Sequence, residues 1–344
     1  MPGHTHDVLI IGQGLAGAVL MHAMLQRGLR VHAFTDPEHI GASEVAAGLV
    51  NPISLRRMVP AWRAAETFIL AEKTYRDIEE RLNIRCWHRL SLTKIMPTAA
   101  EVLLWQKALE REDTRPFLTR PKDPELAANG VATGMDHGVI APCAWLDMRL
   151  MLSAHRAWAL QQGLITMRSI ERPEPIGHGD GISIGDKKAG YVVHCTGTAR
   201  QLPGLVPVKG EVLTIRIRGL RLTNALHKGI FLLPIGDDLY RVGSTYEWQD
   251  VWSGPSERAR SYLLGRVEQL LPDHKVEVVE HLAGVRPASR DRRPLLGLSQ
   301  ANEVEFNGLG SRGVSLAPWC AQALIEHLFE GIPLDREVLL DRFS

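Results

Sequence analysis

Residues 8–11 (VLII) form a short unbroken apolar run, the pattern of a strand covered on both faces. A glycine-rich turn follows, and residues 18–28 (AVLMHAMLQRG) read as a helix stopped by Gly28. A second apolar run occupies residues 31–34, so strand, turn, helix and strand lie within thirty residues as a parallel βαβ unit. Residues 63–82 predict an amphipathic helix, with Phe68, Leu70, Tyr75 and Ile78 among the apolar positions. Residues 97–137 are polar and interrupted by proline, and no pattern assigns them. Residues 146–162 again predict a helix. Residues 208–217, 229–235 and 239–245 then predict strands, the last two joined through Asp237-Asp238 as a hairpin. Helices are expected at 256–271 and 316–329. A run of strands without helices implies an antiparallel sheet distinct from the opening unit.

The chain has 344 residues, the length of two domains. Hydrophobic residues make up 45% and charged residues 23%, ordinary globular usage. With 40 Lys+Arg against 39 Asp+Glu, no global field attracts nucleic acid or an anionic membrane, and neither is an expected partner. Positive charge is local, at Arg56, Arg57 and Arg63 and again at Arg286, Arg290, Arg292 and Arg293. Cys86, Cys143, Cys195 and Cys320 have neither disulfide nor zinc spacing, so no metal is expected and a reduced, cytoplasmic setting is the simplest reading. The apolar N-terminal stretch lacks a cationic flank and is broken by glycines, unlike a signal sequence, and no apolar run is long enough to span a membrane. His88, His194 and His227 have no recognisable partner in the sequence and are read as structural. Trp62, Trp248 and Trp252 are candidates to border a pocket, with packing roles the commoner alternative.

Gly12-Gln13-Gly14-Leu15-Ala16-Gly17 matches G-x-G-x-x-G between a strand and a helix, the context that gives this pattern meaning. Gly12 suits a tight turn, Gly14 the approach of a pyrophosphate, and Gly17 close packing of helix on strand. Free N–H groups of the helix N-terminus, Leu15 and Ala16 included, would face the phosphates. The acidic residue expected at the end of the second strand is absent. Thr35 stands there, with Asp36 one step later, so ribose contact falls to one of these two. No basic residue in 33–36 favours a 2′-phosphate.

Three later segments distinguish FAD from NAD. GASEVAAGLVNP (41–52), YVVHCTGTA (191–199), and AGVRPASRDRRPLLG (283–297) followed by FNGLGSRGVSLAPWCAQALIEHLFEG (306–331) together resemble the D-amino-acid oxidase/glycine oxidase (DAO) family of FAD-dependent oxidoreductases. PVKGE (207–211) and RVGSTYE (241–247) also fit, so the resemblance covers nearly the whole chain, least well at 90–137. It implies a discontinuous Rossmann-like FAD-binding domain (1–82, 138–205 and 283–344) and a second domain built on an antiparallel sheet (83–137 and 206–282), α/β in class and α+β overall. It implies that Ser43, Ala46, Ala47 and Gly48 line pyrophosphate and flavin, that Thr196 and Gly197 pass near the cofactor, and that Gly310, Ser311, Arg312, Gly313 and Val314 meet the ring. FAD would be held noncovalently.

The resemblance further implies hydride transfer from the carbon bearing nitrogen to flavin N5. Arg286 would pair with a substrate carboxylate, Tyr246 would stand over the flavin, and Arg312 would contact substrate or brace its turn. The expected partner is a small-molecule amine, with a homo-oligomer open. Two alternatives stay open: an enzyme acting on a modified tRNA nucleoside amine, and a flavin-binding protein without turnover.

Overall fold

The apolar run at 8–11 becomes the strand His6–Ile11, in which Val8, Leu9 and Ile10 have no exposed surface. The computed structural model describes residues 5–38, 41–120, 124–176 and 181–343. His6–Ile11 lies between Val31–Thr35 and Lys187–His194, parallel to both. Ile165–Met167 and Glu303–Asn307 extend the parallel sheet on either side, and Leu295–Gln300 closes one edge antiparallel. A small meander, Glu174–Ile176 and Gly181–Ile184, pairs antiparallel with Lys187–His194.

The core on one face of this sheet takes its side chains from the helices Leu15–Gln26, Ala64–Leu82, Met148–Gln161 and Gly313–Ile325. On the other face Leu9, Ile11, Phe34 and Val192 pack with Ile182 and Ile184 of the meander. A strand sandwiched in this way has no polar face, which is why the sequence shows an unbroken apolar run. In Ala64–Leu82 the buried stripe is Phe68, Ala71, Tyr75 and Ile78, while Leu70, one of the apolar positions named from the sequence, is only half-buried.

The second sheet has the path Glu277–Ser289, Leu205–Arg216, Leu239–Gly243, Phe231–Gly236, Ala225–His227, Trp87–Met96, Asp136–Leu146 and Leu49–Val50. All its pairings are antiparallel except that of Ala225–His227 with Trp87–Met96. Asp237 and Asp238 both take left-handed φ (52° and 57°), the two-residue turn whose twist matches a hairpin. The boundaries expected at 138 and 283 fall inside Asp136–Leu146 and Glu277–Ser289, both strands of this second sheet.

Several details depart from the sequence pattern. The unassigned 97–137 region contains the helix Ala99–Glu110, whose N-cap Thr98 accepts the Glu101 N–H, and it packs Trp105 flat against Gly138. Before it runs a ten-residue strand, Trp87–Met96, paired with Asp136–Leu146 across thirty-nine intervening residues. No local turn signal could announce that pairing. Leu146 ends a strand rather than starting a helix; Asp147 caps the helix by accepting the Leu150 N–H at 3.1 Å. The last helix starts at Gly313, before the expected 316, and ends in a π-helical turn, Glu326–Glu330.

The histidines also find partners far away in sequence. His194 Nε2 lies 2.7 Å from Glu303, and Arg200 reaches both. His88 stacks on Trp145 with ring centroids 4.8 Å apart. Desolvation pushes half-buried His227 down to about 3. Trp62 packs edge-on against Trp319, and Arg63 lies over both rings while pairing with Glu66 and Asp335. That arginine is therefore engaged in a surface network. Arg56 and Arg57 are exposed. All four cysteines are free and buried. Among the described residues no helix is long and apolar enough to cross a membrane.

Beside His194, Glu305 is fully buried, and desolvation raises its carboxyl to about 7 despite Arg200 at 3.2 Å. The folded chain then holds a proton on Glu305 that the unfolded chain has released between pH 4.5 and about 7, so this group's contribution falls as pH rises through that window. Glu305→Gln is expected to stabilise the protein at pH 8, by up to about 3 kcal/mol, and to change little at pH 5. Urea midpoints at the two pH values check this; equal shifts at both would refute it.

Candidate active site

The glycine turn is shaped by backbone contact. Gly12 takes φ of +99°, and a side chain there would meet the Cys195 carbonyl oxygen at 2.5 Å. A side chain at Gly17 would stand 1.9 Å from the Gly12 carbonyl oxygen. The turn therefore lies directly on the end of Lys187–His194, with the helix pressed on the turn. Gly14 is the helix N-cap and has no side chain to cap with. The cap comes instead from Ser43, whose Oγ accepts the Leu15 N–H at 3.1 Å, so this N–H, expected to be free, is engaged within the chain.

Ser43 belongs to the 41–48 segment, which is fixed on several sides. Val45 packs on Gly284 of Glu277–Ser289, and Glu44 pairs with Arg156 at 2.8 Å. The Ala46 carbonyl accepts a 2.7 Å hydrogen bond from buried Arg241. Gly48, at φ +79°, lies against the Leu146 carbonyl, where a Cβ would stand 2.0 Å away. Ala47 is buried between these anchors. The segment thus crosses from the parallel sheet to the antiparallel one as a rigid strip of small residues.

Thr35 is buried at the end of the second strand. The Asp36 carboxylate accepts the Glu38 N–H at 2.9 Å and so caps its own turn. On the neighbouring strand ends, Thr196 carries a buried hydroxyl without a partner, and Gln13 carries a buried amide in the same condition among the described residues. Gly197 takes φ of +57°, and its carbonyl accepts the Asn307 side-chain N–H at 2.7 Å. These orphaned polar groups surround the glycine turn, where a dinucleotide would supply their partners.

The C-terminal turn, Gly310–Arg312, leads into Gly313–Ile325, and Leu15 packs against Gly313, so two helix N-termini stand side by side. Tyr75 donates from its hydroxyl to the Val314 carbonyl at 2.8 Å and fixes this end. Ser311 is exposed. Arg312 donates to the carbonyls of Asn51 and Ile53 at 2.8 and 3.3 Å, which ties its turn to the end of the 41–52 segment.

On the antiparallel sheet Arg286, on the edge strand, stands opposite Val208 and reaches across the neighbouring strand over Gly210. Any Cβ at Gly210 would lie 2.0–2.2 Å from the guanidinium, so only glycine lets the arginine cross. Arg286 donates to the Thr245 carbonyl at 3.2 Å, and its guanidinium stacks 4.6 Å from the Tyr246 ring centroid. It has no carboxylate partner among the described residues, and burial lowers its pKa. Burial lowers Arg312 likewise, and Tyr246 opposes the shift at both arginines. The structure thus brings the two arginines and Tyr246 to one place. Thr245 itself is structural, its hydroxyl accepting the Glu211 N–H at 2.9 Å.

A sequence profile described as FAD dependent oxidoreductase (DAO) matches residues 7–327. The chain belongs to this family. Among curated relatives, the tRNA 5-methylaminomethyl-2-thiouridine biosynthesis bifunctional protein MnmC of Caulobacter vibrioides is 26% identical over 96% of this chain and 56% of its own length. The chain thus spans little more than half of that relative. D-amino-acid oxidase of Streptomyces coelicolor is 25% identical over 92% of this chain and 94% of its own. The crystal structure of glycine oxidase from Geobacillus kaustophilus superposes with a TM-score of 0.80 at 20% identity, covering 99% of this chain and 100% of that one. Membership makes the protein a flavoenzyme that uses FAD, and the glycine cradle with its orphaned Thr196 and Gln13 groups fits that cofactor.

Sequence reasoning did not single out Arg241 or Asn307. Arg241 lies within the quoted RVGSTYE segment, and its position inside an apolar strand was the available signal. Asn307 opens the FNGLGSRGV segment, where the following glycine marks a turn that its side chain closes through the Gly308 N–H at 2.8 Å.

Gly17→Ala is expected to abolish tight FAD retention, because the methyl group overlaps a backbone oxygen that cannot move away from the Cys195 strand end. Flavin-to-protein absorbance ratios check it; a variant with wild-type flavin content would contradict the packing argument. Gly210→Ala is expected to retain FAD yet displace Arg286, and so separates the cofactor cradle from the arginine.

Proposed function

We propose that the protein oxidises the C–N bond of an amino acid or other carboxylated amine. Arg286 carries the reading: a half-buried guanidinium without a carboxylate partner among the described residues, in a chain whose family uses FAD. Leaving a half-buried cation unpaired is costly, and a substrate carboxylate supplies the missing charge by a charge-assisted pair. FAD, held noncovalently, supplies a hydride acceptor at N5 when bound, and the imine product hydrolyses in water.

The residues of the chain contribute orientation. Arg286 fixes the carboxylate, so the carbon bearing nitrogen is held in one place. Tyr246 bounds the site beside it, and Arg312 anchors the turn that leads into Gly313–Ile325. The N-terminal dipole of that helix favours negative charge on a reduced ring. Gly12, Gly14, Leu15, Ala16 and Gly17 serve the pyrophosphate with Ser43, and Thr35 or Asp36 serves the ribose. Ala46, Ala47, Gly48, Thr196, Gly197, Gly310, Ser311, Gly313 and Val314 line the rest of the cofactor. The parallel sheet acts as the cofactor domain and the antiparallel sheet as the substrate side. The near-neutral charge balance favours a free small molecule over an extended nucleic-acid footprint.

A second reading, action on an amine carried by a tRNA nucleoside, rests on the relatives named for tRNA modification. Salt-sensitive tRNA binding supports it, and absence of binding at low salt removes it.

The decisive experiment is anaerobic flavin reduction across amino acids and N-alkyl glycines, followed by oxygen and peroxide detection. Bleaching by a carboxylated amine is the expected result, and Arg286→Met is expected to raise the KM for that amine by ~100-fold with FAD content unchanged. No reduction by any amine of the panel would overturn the proposal.

A further inference from the structure

Beyond the half-buried Arg286, the aromatic side chains continue outward in one direction. Tyr246, stacked on the Arg286 guanidinium, is followed by Trp248, with ring centroids 6.5 Å apart and planes inclined by 27°. Tyr246 is 52% exposed and Trp248 is 63% exposed. The rings therefore form a staircase from a half-buried cation to solvent. Each leaves most of an aromatic face uncovered, although burying such a face is favourable.

The backbone beneath the staircase is held firmly. The Lys209 N–H donates to the Glu247 carbonyl at 2.9 Å, and the Glu247 N–H returns a bond to the Lys209 carbonyl at 3.0 Å. The Glu247 carboxylate accepts from Arg258 at 2.6 Å and from the Trp248 N–H at 3.2 Å. Lys209 Nζ is bonded to Ser253 Oγ at 2.9 Å, which ties down the far end of the loop. A braced backbone that presents two stacked rings outward is a preformed surface, so ordering it costs a ligand little.

We propose that Trp248, with Tyr246, is a specificity-determining ledge, and that the substrate is a carboxylated amine bearing a planar aromatic group. This deepens the functional reading above and rests on it for the position of the carboxylate. With the carboxylate on Arg286, a ring attached through the nitrogen or the side chain lies over Tyr246 and Trp248. Arg286 sets the charge that the site accepts, and the ledge sets the shape. A short aliphatic substrate would fill the arginine end and leave Trp248 in water.

Two measurements on the FAD-loaded protein test the ledge. The first is equilibrium binding of acetate and indole-3-acetate, carboxylates that serve as unreactive probes, followed by flavin absorbance and tryptophan fluorescence. Indole-3-acetate is expected to bind more than tenfold tighter than acetate. Trp248→Ala is expected to remove about tenfold of that advantage while leaving acetate unchanged, and Trp248→Phe to keep most of it. The second is anaerobic flavin reduction by N-benzylglycine and N-methylglycine, where the benzyl compound is expected to be preferred through a lower KM and the preference lost in Trp248→Ala. An unchanged indole-3-acetate to acetate ratio in Trp248→Ala overturns the ledge even if amines are oxidised. If indole-3-acetate binding depends on Trp248 but no amine reduces the flavin, the ledge stands and the amine-oxidation reading fails. Trp248 is exposed, so its substitution leaves the core intact.

Discussion

The site depends on the contact of backbone with backbone at Gly12 and Gly17. The turn after the first strand touches the Cys195 carbonyl on one side and the first helix on the other, at distances that exclude a Cβ. That packing sets the helix N-terminus against the strand ends, where Ser43 caps Leu15 and Leu15 in turn packs on Gly313. A phosphate-binding surface made of N–H groups works only where side chains are absent, because any Cβ would hold the ligand away. The same rule recurs at Gly48 against Leu146 and at Gly210 beneath Arg286.

The 41–52 segment ties the two sheets together by hydrogen bonds, beside an apolar core that Trp87, Ala144 and Leu146 of the antiparallel sheet share with the parallel one. Ser43 belongs to the helix cap, Ala46 hangs from Arg241 of the antiparallel sheet, and Asn51 and Ile53 receive Arg312 from the C-terminal turn. Arginines, Arg241 buried and Arg312 half-buried, hold backbone carbonyls at two of these three points. A guanidinium presents several donors in a fixed plane, so one residue can align a strip of chain that has no side chains of its own to pack. Arg286 differs from Arg241 and Arg312 in this respect, since it combines hydrogen bonds to the Thr245 and Lys209 carbonyls, at 3.2 and 3.5 Å, with stacking on the Tyr246 ring.

Charge at the edge of the parallel sheet follows a different logic. His194, Arg200, Glu303 and Glu305 share a buried corner in which one carboxyl is raised to about 7 and the histidine is lowered to about 4. Desolvation is the larger cause for both, so each favours its neutral form. The corner stands on the face of the sheet away from the helices and contributes to the pH dependence of stability, apart from the chemistry of the site.

By itself the sequence determined what depends on local pattern: the βαβ unit, the amphipathic helix at Ala64–Leu82, the Asp237-Asp238 turn and the glycine fingerprint. Apolar period and glycine spacing are properties of a few adjacent residues, so they can be read without knowing the rest of the chain. The motif resemblance extended this to the family and to FAD, because short segments keep their residue types wherever backbone must approach a flat ring. Tertiary structure alone decided the strand Trp87–Met96, whose pairing spans two helices and a short strand, and the partner of His194, more than a hundred residues away. It also decided that the Asp36 carboxylate caps its own turn and that Arg241 serves the Ala46 carbonyl. Hydrogen-bond partners set by folding leave no period in the sequence. The glycine turn was legible because sterics act between neighbours; the reach of Arg286 across Gly210 to Tyr246 was not, because three separate strands must align before it exists.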